Sequence, residues 1–311
     1  MMKIKSKIHF IAILLLQLSS HAVSSEPIDG HRFLPPGRLV DVDGFRLHIN
    51  CIGEGEPTVV FDSGTGGFSL EWARIQNAVS KHTRVCTYDR AGYGWSDMGP
   101  LPRTSKRIVN ELHSLLLKAM IPGPYILAGH SFGGFTAQYF ARLYPEETAA
   151  LVLIDSSHPE QVDRLPKASR GSTRIYPAKS RTYSVSRVVL HEHYPQENGM
   201  LAYKLMSSWK YRFTLQQEML SLPQSAKEIL ALEPLQTMPL VVLTRGKRVW
   251  PNSGFGNKME KTWMELQDEL SLLSLDVVHL VAERSGHSIH LDQPGLVISA
   301  LDVLLNTEKR K

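Results

Sequence analysis

A serine between two glycines, Gly129-His130-Ser131-Phe132-Gly133, follows the apolar run Ile126-Leu127-Ala128 and leads at once into an amphipathic stretch. A strand that turns this sharply into a helix lifts the serine hydroxyl clear of its sheet. It also sets that hydroxyl at a helix N-terminus, where backbone amides face a developing negative charge. Gly129 and Gly133 suit such a turn, because a Cβ at either would run into the strand or the helix. The chemistry is nucleophilic attack, which needs a base and a third group to orient that base. His287, in Ser285-Gly286-His287-Ser288-Ile289-His290, is the predicted base: it lies in a loop after the last apolar run and before a helix that opens at Pro294. His290, closer to that helix, reads as structural. The loop after 240–243 carries no acid before Glu260, so the orienting carboxylate is expected at Asp155, where the run 151–154 ends; Glu283 is a weaker substitute. The chain order is then Ser131, Asp155, His287. Two backbone N–H groups should hold the oxyanion, one from Phe132 and one from Thr65, with Gly66 as second choice, in Ser63-Gly64-Thr65-Gly66-Gly67. That loop lacks the Lys-Ser/Thr of a P-loop and the spacing of Gly-x-Gly-x-x-Gly, which argues against phosphate binding. His287 and His290 have no third ligand nearby in sequence, so neither a metal nor a cofactor is expected. His191-Glu192-His193 reads as a polar surface segment.

These side chains need a scaffold that gathers them at one edge. Strands are predicted at 38–42 and 45–52, joined across Asp43-Gly44, a strong hairpin signal, and again at 58–61, 83–88, 124–128 and 151–154. Helical spacing covers 70–81, 104–120 and 135–144. The alternation resumes with strands at 240–243 and 277–281 and helices at 261–273 and 294–305. It implies an α/β fold, a mostly parallel sheet covered by helices on both faces. Residues 25–155 and 238–311 form the core, and 156–237 reads as a helical cap with stretches at 200–206, 213–220 and 226–232. Tyr203, Trp209, Tyr211 and Phe213 are candidates to shape an apolar pocket there, although they could equally form the core of the cap.

The 311 residues, 42% hydrophobic and 21% charged, are ordinary for one large globular domain. Lys3, Lys5 and Lys7 precede an apolar run at 8–18, and small residues follow near Ala22-Val23-Ser24, the pattern of a secretory signal peptide over 1–24. Removing three lysines and no acid takes the formal charge from +5 to +2, so no nucleic-acid or membrane partner is implied, only a small-molecule substrate. Export would put Cys51 and Cys86, the two cysteines of the chain, in an oxidising compartment. They pair if their strands are neighbours and otherwise stay as two buried thiols.

Three motifs, Gly129-His130-Ser131-Phe132-Gly133, Tyr88-Asp89-Arg90-Ala91-Gly92-Tyr93-Gly94-Trp95-Ser96-Asp97 and Gly286-His287 with Asp292-Gln293-Pro294, resemble those of the α/β-hydrolase family. The resemblance implies an eight-stranded sheet whose second and fourth strands are neighbours, which would bring Cys51 and Cys86 together. It also implies structural roles for Asp89 and Arg90, and a place for Trp95 beside the pocket. Two departures stand out: Ser63-Gly64 replaces the family's His-Gly, and the acid after the seventh strand is missing. Some members carry that acid after the sixth strand, in agreement with Asp155. A serine at the elbow argues against dehalogenase or epoxide hydrolase chemistry, which uses an aspartate there. The expectation is an exported, secreted or periplasmic serine hydrolase of carboxylesterase type, acting on an ester in preference to an amide. A peroxidase, a lyase or a non-catalytic binding protein on the same fold are the alternatives.

Overall fold

The computed structural model describes residues 34–167 and 196–308. The expected leader at 1–24, the His191-Glu192-His193 segment and part of the expected cap lie outside them. Eight strands make one sheet: β1 (Arg38–Asp41), β2 (Arg46–Ile52), β3 (Thr58–Asp62), β4 (Val85–Tyr88), β5 (Tyr125–His130), β6 (Thr148–Ile154), β7 (Leu240–Arg245) and β8 (Val277–Ala282). Their spatial order is β1-β2-β4-β3-β5-β6-β7-β8. The β1–β2 and β2–β4 pairs are antiparallel, and every other neighbouring pair is parallel. Asp43 and Gly44 between β1 and β2 take φ of 66° and 99°, the positive values that a two-residue hairpin turn demands. Cys51 and Cys86 face each other across β2 and β4 and form a disulfide.

The central strands β3 and β5 are buried along their whole length, because helices cover both faces of the sheet. On one face lie α2 (Ser105–Lys118) and α3 (Phe132–Leu143), and on the other α1 (Ala73–Val79) and a C-terminal helix, Pro294–Glu308. The apolar stripe of α2, Ile108, Leu112, Leu115 and Leu116, is fully withdrawn from water, worth about 1.5–3 kcal/mol per side chain.

Between β6 and β7 the described residues hold α4 (Gln161–Arg164), α5 (Gln196–Met206) and α6 (Trp209–Leu230), and no strand. The two helices expected at 213–220 and 226–232 are one, running through Pro223. Both halves of α6 are anchored on the same body, Glu218 to Arg90 and Tyr93, and Ser225 to the Ser105 amide, which offsets the hydrogen bond the proline cannot donate. After β7, α7 (Gly254–Leu270) starts earlier than its periodicity suggested. The Ser253 hydroxyl caps it by accepting from Gly256 N at 3.1 Å. Among the described residues no helix is long and apolar enough to cross a membrane.

Candidate active site

The parallel register brings the C-terminal ends of β3, β5, β6, β7 and β8 to one edge, with Asp62 beside Gly129, His130 beside Ile154, and Arg245 beside Ala282. Ser131 follows β5 at once and holds φ 51°, ψ −118°, a strained conformation for a residue with a side chain. The strain is enforced on both sides. A Cβ on Gly129 would overlap the Gly133 carbonyl, and one on Gly133 would overlap the Asp62 carbonyl. Ser131 N donates to Ile154 O at 3.1 Å and its carbonyl accepts from Gly134 and Ser157, so the elbow is fixed to β6 and α3. Helix α3 starts directly at Phe132, three residues earlier than predicted, because the elbow itself is its cap.

Asp155, one residue beyond β6, also has a positive φ, 38°. Its carboxylate is fully buried and accepts from His287 Nδ1 at 2.5 Å, from Trp263 Nε1 at 3.0 Å and from Arg245 at 3.3 Å. Burial raises the Asp155 carboxyl, but His287, Arg245 and Trp263 together outweigh that and hold it below the ordinary carboxylate value. Arg245 is itself shared with Glu260, 2.8 Å away, so Glu260 serves the guanidinium and not the imidazole. His287 is thus joined to Asp155, while Ser131 and His287 line the same cavity of about 600 Å³. Among the described residues no hydrogen bond joins the Ser131 hydroxyl to His287, so proton transfer between the two would need one of these side chains to move.

Thr65 and Phe132 line this cavity as well. A Cβ on Gly64 would stand 3.2 Å from Ser131 Cβ and 2.9 Å from His130 Nδ1, so only glycine lets this loop lie against the serine. Arg90 holds the loop from below. Its guanidinium donates to Ser63 O, to Gly64 O at 2.8 Å, to Asp62 at 2.6 Å and to Glu218 of α6 at 2.9 Å. Asp89 has the structural role the resemblance implied, accepting from Ser69 N and Trp95 N and pairing with His48.

Several expectations need correction. Trp95 does not line the cavity but packs on His48 with ring centroids 4.9 Å apart. Of the cap aromatics only Tyr211 lines it; Tyr203 and Trp209 point outward, and Trp209 stacks on Phe213. Trp209 and Phe213 each lie two residues from Tyr211 on α6, which puts them on the opposite face of that helix. His290 is also close to residues distant in sequence: Glu71, His130 and His290, a group without His287, each bring a potential ligand atom within 4.8 Å of the others on the cavity wall. His158, Glu160 and Glu269 form a second such group. His130 donates from Nε2 to the His287 carbonyl at 2.9 Å, and burial, with His287 adding to it, lowers its pKa to about 3, so it is a neutral imidazole. Burial pushes the Glu71 carboxyl up to about 7, against the lowering by a Ser63 hydrogen bond. Sequence reasoning missed Glu71, His130, Arg245 and Trp263. The one signal available was a charged residue, Arg245, at the end of an otherwise apolar strand.

A model of the alpha/beta hydrolase family matches residues 59–300. The uncharacterized protein YbdG of Bacillus subtilis (strain 168) is 27% identical over 275 residues, covering 83% of this chain and 82% of its own. A thermophilic esterase from Thermogutta terrifontis superposes with a TM-score of 0.62 at 17% identity, covering 87% of this chain and 98% of that one. The epoxide hydrolase CorEH superposes with a TM-score of 0.67 at 16% identity, covering 87% and 98%.

Proposed function

This chain belongs to the alpha/beta hydrolase family, and on that premise we propose that it is an exported serine hydrolase that cleaves an ester of a small or medium organic molecule. In this reading Ser131 Oγ attacks the carbonyl carbon while His287 Nε2 takes its proton. The N–H groups of Phe132 and Thr65 hold the oxyanion, and His287 returns the proton to the leaving alcohol. Water then repeats the sequence on the acyl-enzyme. Asp155 keeps the Nδ1 proton in place and stabilises the imidazolium.

The observation that carries the reading is the buried Asp155 carboxylate 2.5 Å from His287 Nδ1, at the rim of the cavity that the strained Ser131 also lines. Serine rather than a carboxylate at the elbow favours acyl transfer over epoxide opening. The Lys-rich, apolar opening of the chain supports export, and the Cys51–Cys86 bond agrees with an oxidising compartment. The segment 156–237, which includes α5 and α6, is read as the cap over the site. A panel of p-nitrophenyl esters of increasing acyl length tests the proposal. Hydrolysis should be saturable and fall to background in Ser131→Ala; activity that survives in this variant, or folded wild-type protein inert toward the whole panel, would overturn it.

A further inference from the structure

Glu71 lines the cavity yet takes no part in acyl transfer. Its side chain is 10% exposed, and its Oε1 has no hydrogen-bond partner among the described residues. The nearest basic atom, His290 Nε2, is 3.7 Å away, too far for a hydrogen bond. A carboxylate oxygen withdrawn from water without a donor is unfavourable. Glu71 and Ser131 meet opposite ends of one tight turn. The Gly67 amide donates to the Gly64 carbonyl at 3.0 Å, Gly67 lies against the Glu71 carboxylate, and Gly64 lies against Ser131.

Away from the proposed oxyanion donors, the described residues of the cavity wall offer an anion little cationic attraction. Among the described residues the one arginine on it, Arg245, is held by Asp155 and Glu260, and no lysine lines it. Aromatic side chains of Phe68, Tyr211 and Trp250 line it as well, and aromatic rings tolerate or attract a cation, as Trp250 does with Arg245 at 4.9 Å.

Building on the serine-hydrolase reading, we propose that Glu71 is a specificity residue that accepts an ionic hydrogen bond from a protonated amine, so that the preferred substrate is an ester bearing an ammonium group. The amine's N–H supplies the donor that Oε1 lacks, and its charge removes the penalty for keeping the carboxylate ionised. A hydrogen bond between charged partners shielded from water is expected to give about tenfold or more in discrimination.

The test uses two esters of one acyl group that differ by a single atom, the 2-(dimethylamino)ethyl ester, protonated at neutral pH, and the 3-methylbutyl ester. Wild type should show a kcat/KM at least about tenfold higher for the amine ester, and in Glu71→Gln that ratio should fall toward one. Equal ratios in the two proteins, a wild-type preference for the 3-methylbutyl ester, or a preference abolished by a chelator would each overturn the proposal, the last because a bound metal and not the bare carboxylate would be responsible. Should neither ester be hydrolysed, the hydrolase reading is what fails. Calorimetric titration of the protein with 2-(dimethylamino)ethanol then decides this one: binding weakened about tenfold in Glu71→Gln supports it, and no binding overturns it.

Discussion

Asp155→Asn changes almost no volume and reverses the polarity of one atom, so its consequences can be worked from the hydrogen bonds around that atom. In the native site the carboxylate receives donors on every side: His287 Nδ1, Trp263 Nε1 and the Arg245 guanidinium. An asparagine amide must point its NH2 at one of them. Facing His287, it requires an unprotonated Nδ1; the imidazole proton then moves to Nε2, which can no longer accept from Ser131. Facing Trp263 and Arg245, it sets donor against donor and the imidazolium loses its counter-charge. Turnover should therefore fall about 10⁴-fold, equivalent to about 5 kcal/mol of transition-state stabilisation, with KM little changed. Stability should drop by a smaller amount, about 1–3 kcal/mol, because Glu260 still holds Arg245 at 2.8 Å and its charge is not orphaned. Circular dichroism melts establish that the variant folds, and initial rates on a p-nitrophenyl ester give kcat and KM. A folded Asp155→Asn protein with kcat within tenfold of wild type would refute this assignment of the acid.

Reducing Cys51–Cys86, which closes a loop of 35 residues, should lower unfolding free energy by about 4 kcal/mol on the loop-entropy model, seen as a fall in urea midpoint with and without dithiothreitol; an unchanged midpoint would contradict it. His130 stays neutral in the fold to a pH of about 3, whereas the unfolded chain takes up a proton near 6.5. Its contribution is therefore intact above 6.5 and lost as pH falls toward 3, up to about 5 kcal/mol. His130→Gln should lose less stability than wild type between pH 7 and pH 4 in urea titrations; parallel losses would argue against a buried neutral imidazole. Gly133→Ala forces a methyl group into the Asp62 carbonyl and should destabilise by about 3 kcal/mol or more, read from its melting temperature. A native-like melt would mean the elbow is looser than described.

The features legible in the sequence were those whose determinants are local. Asp43-Gly44 announces its own hairpin, alternating apolar runs announce strands, and Gly129-x-Ser131-x-Gly133 carries its geometry in five residues. Asp155 could be inferred by elimination, because the loop after β7 held no acid. The unread residues act through partners distant in the chain. Glu71 meets the cavity wall beside His290 only after the sheet and its helices close, and nothing around position 71 marks it. Trp263 reads as helix core until Asp155 is found 3.0 Å from its ring N–H. Helix α6 runs unbroken where the spacing suggested two helices at 213–220 and 226–232, because hydrogen bonds on both sides of Pro223 hold its flanking turns.

The central claim is that Ser131 is the nucleophile, and a fluorophosphonate probe tests it most directly, because such a reagent reacts preferentially with an activated serine. Incubation of the folded protein followed by intact-mass and peptide analysis should show one adduct, located on Ser131, absent in Ser131→Ala and formed far more slowly in His287→Ala. Native protein that stays unmodified, or that carries the adduct elsewhere while Ser131 remains free, would contradict the account.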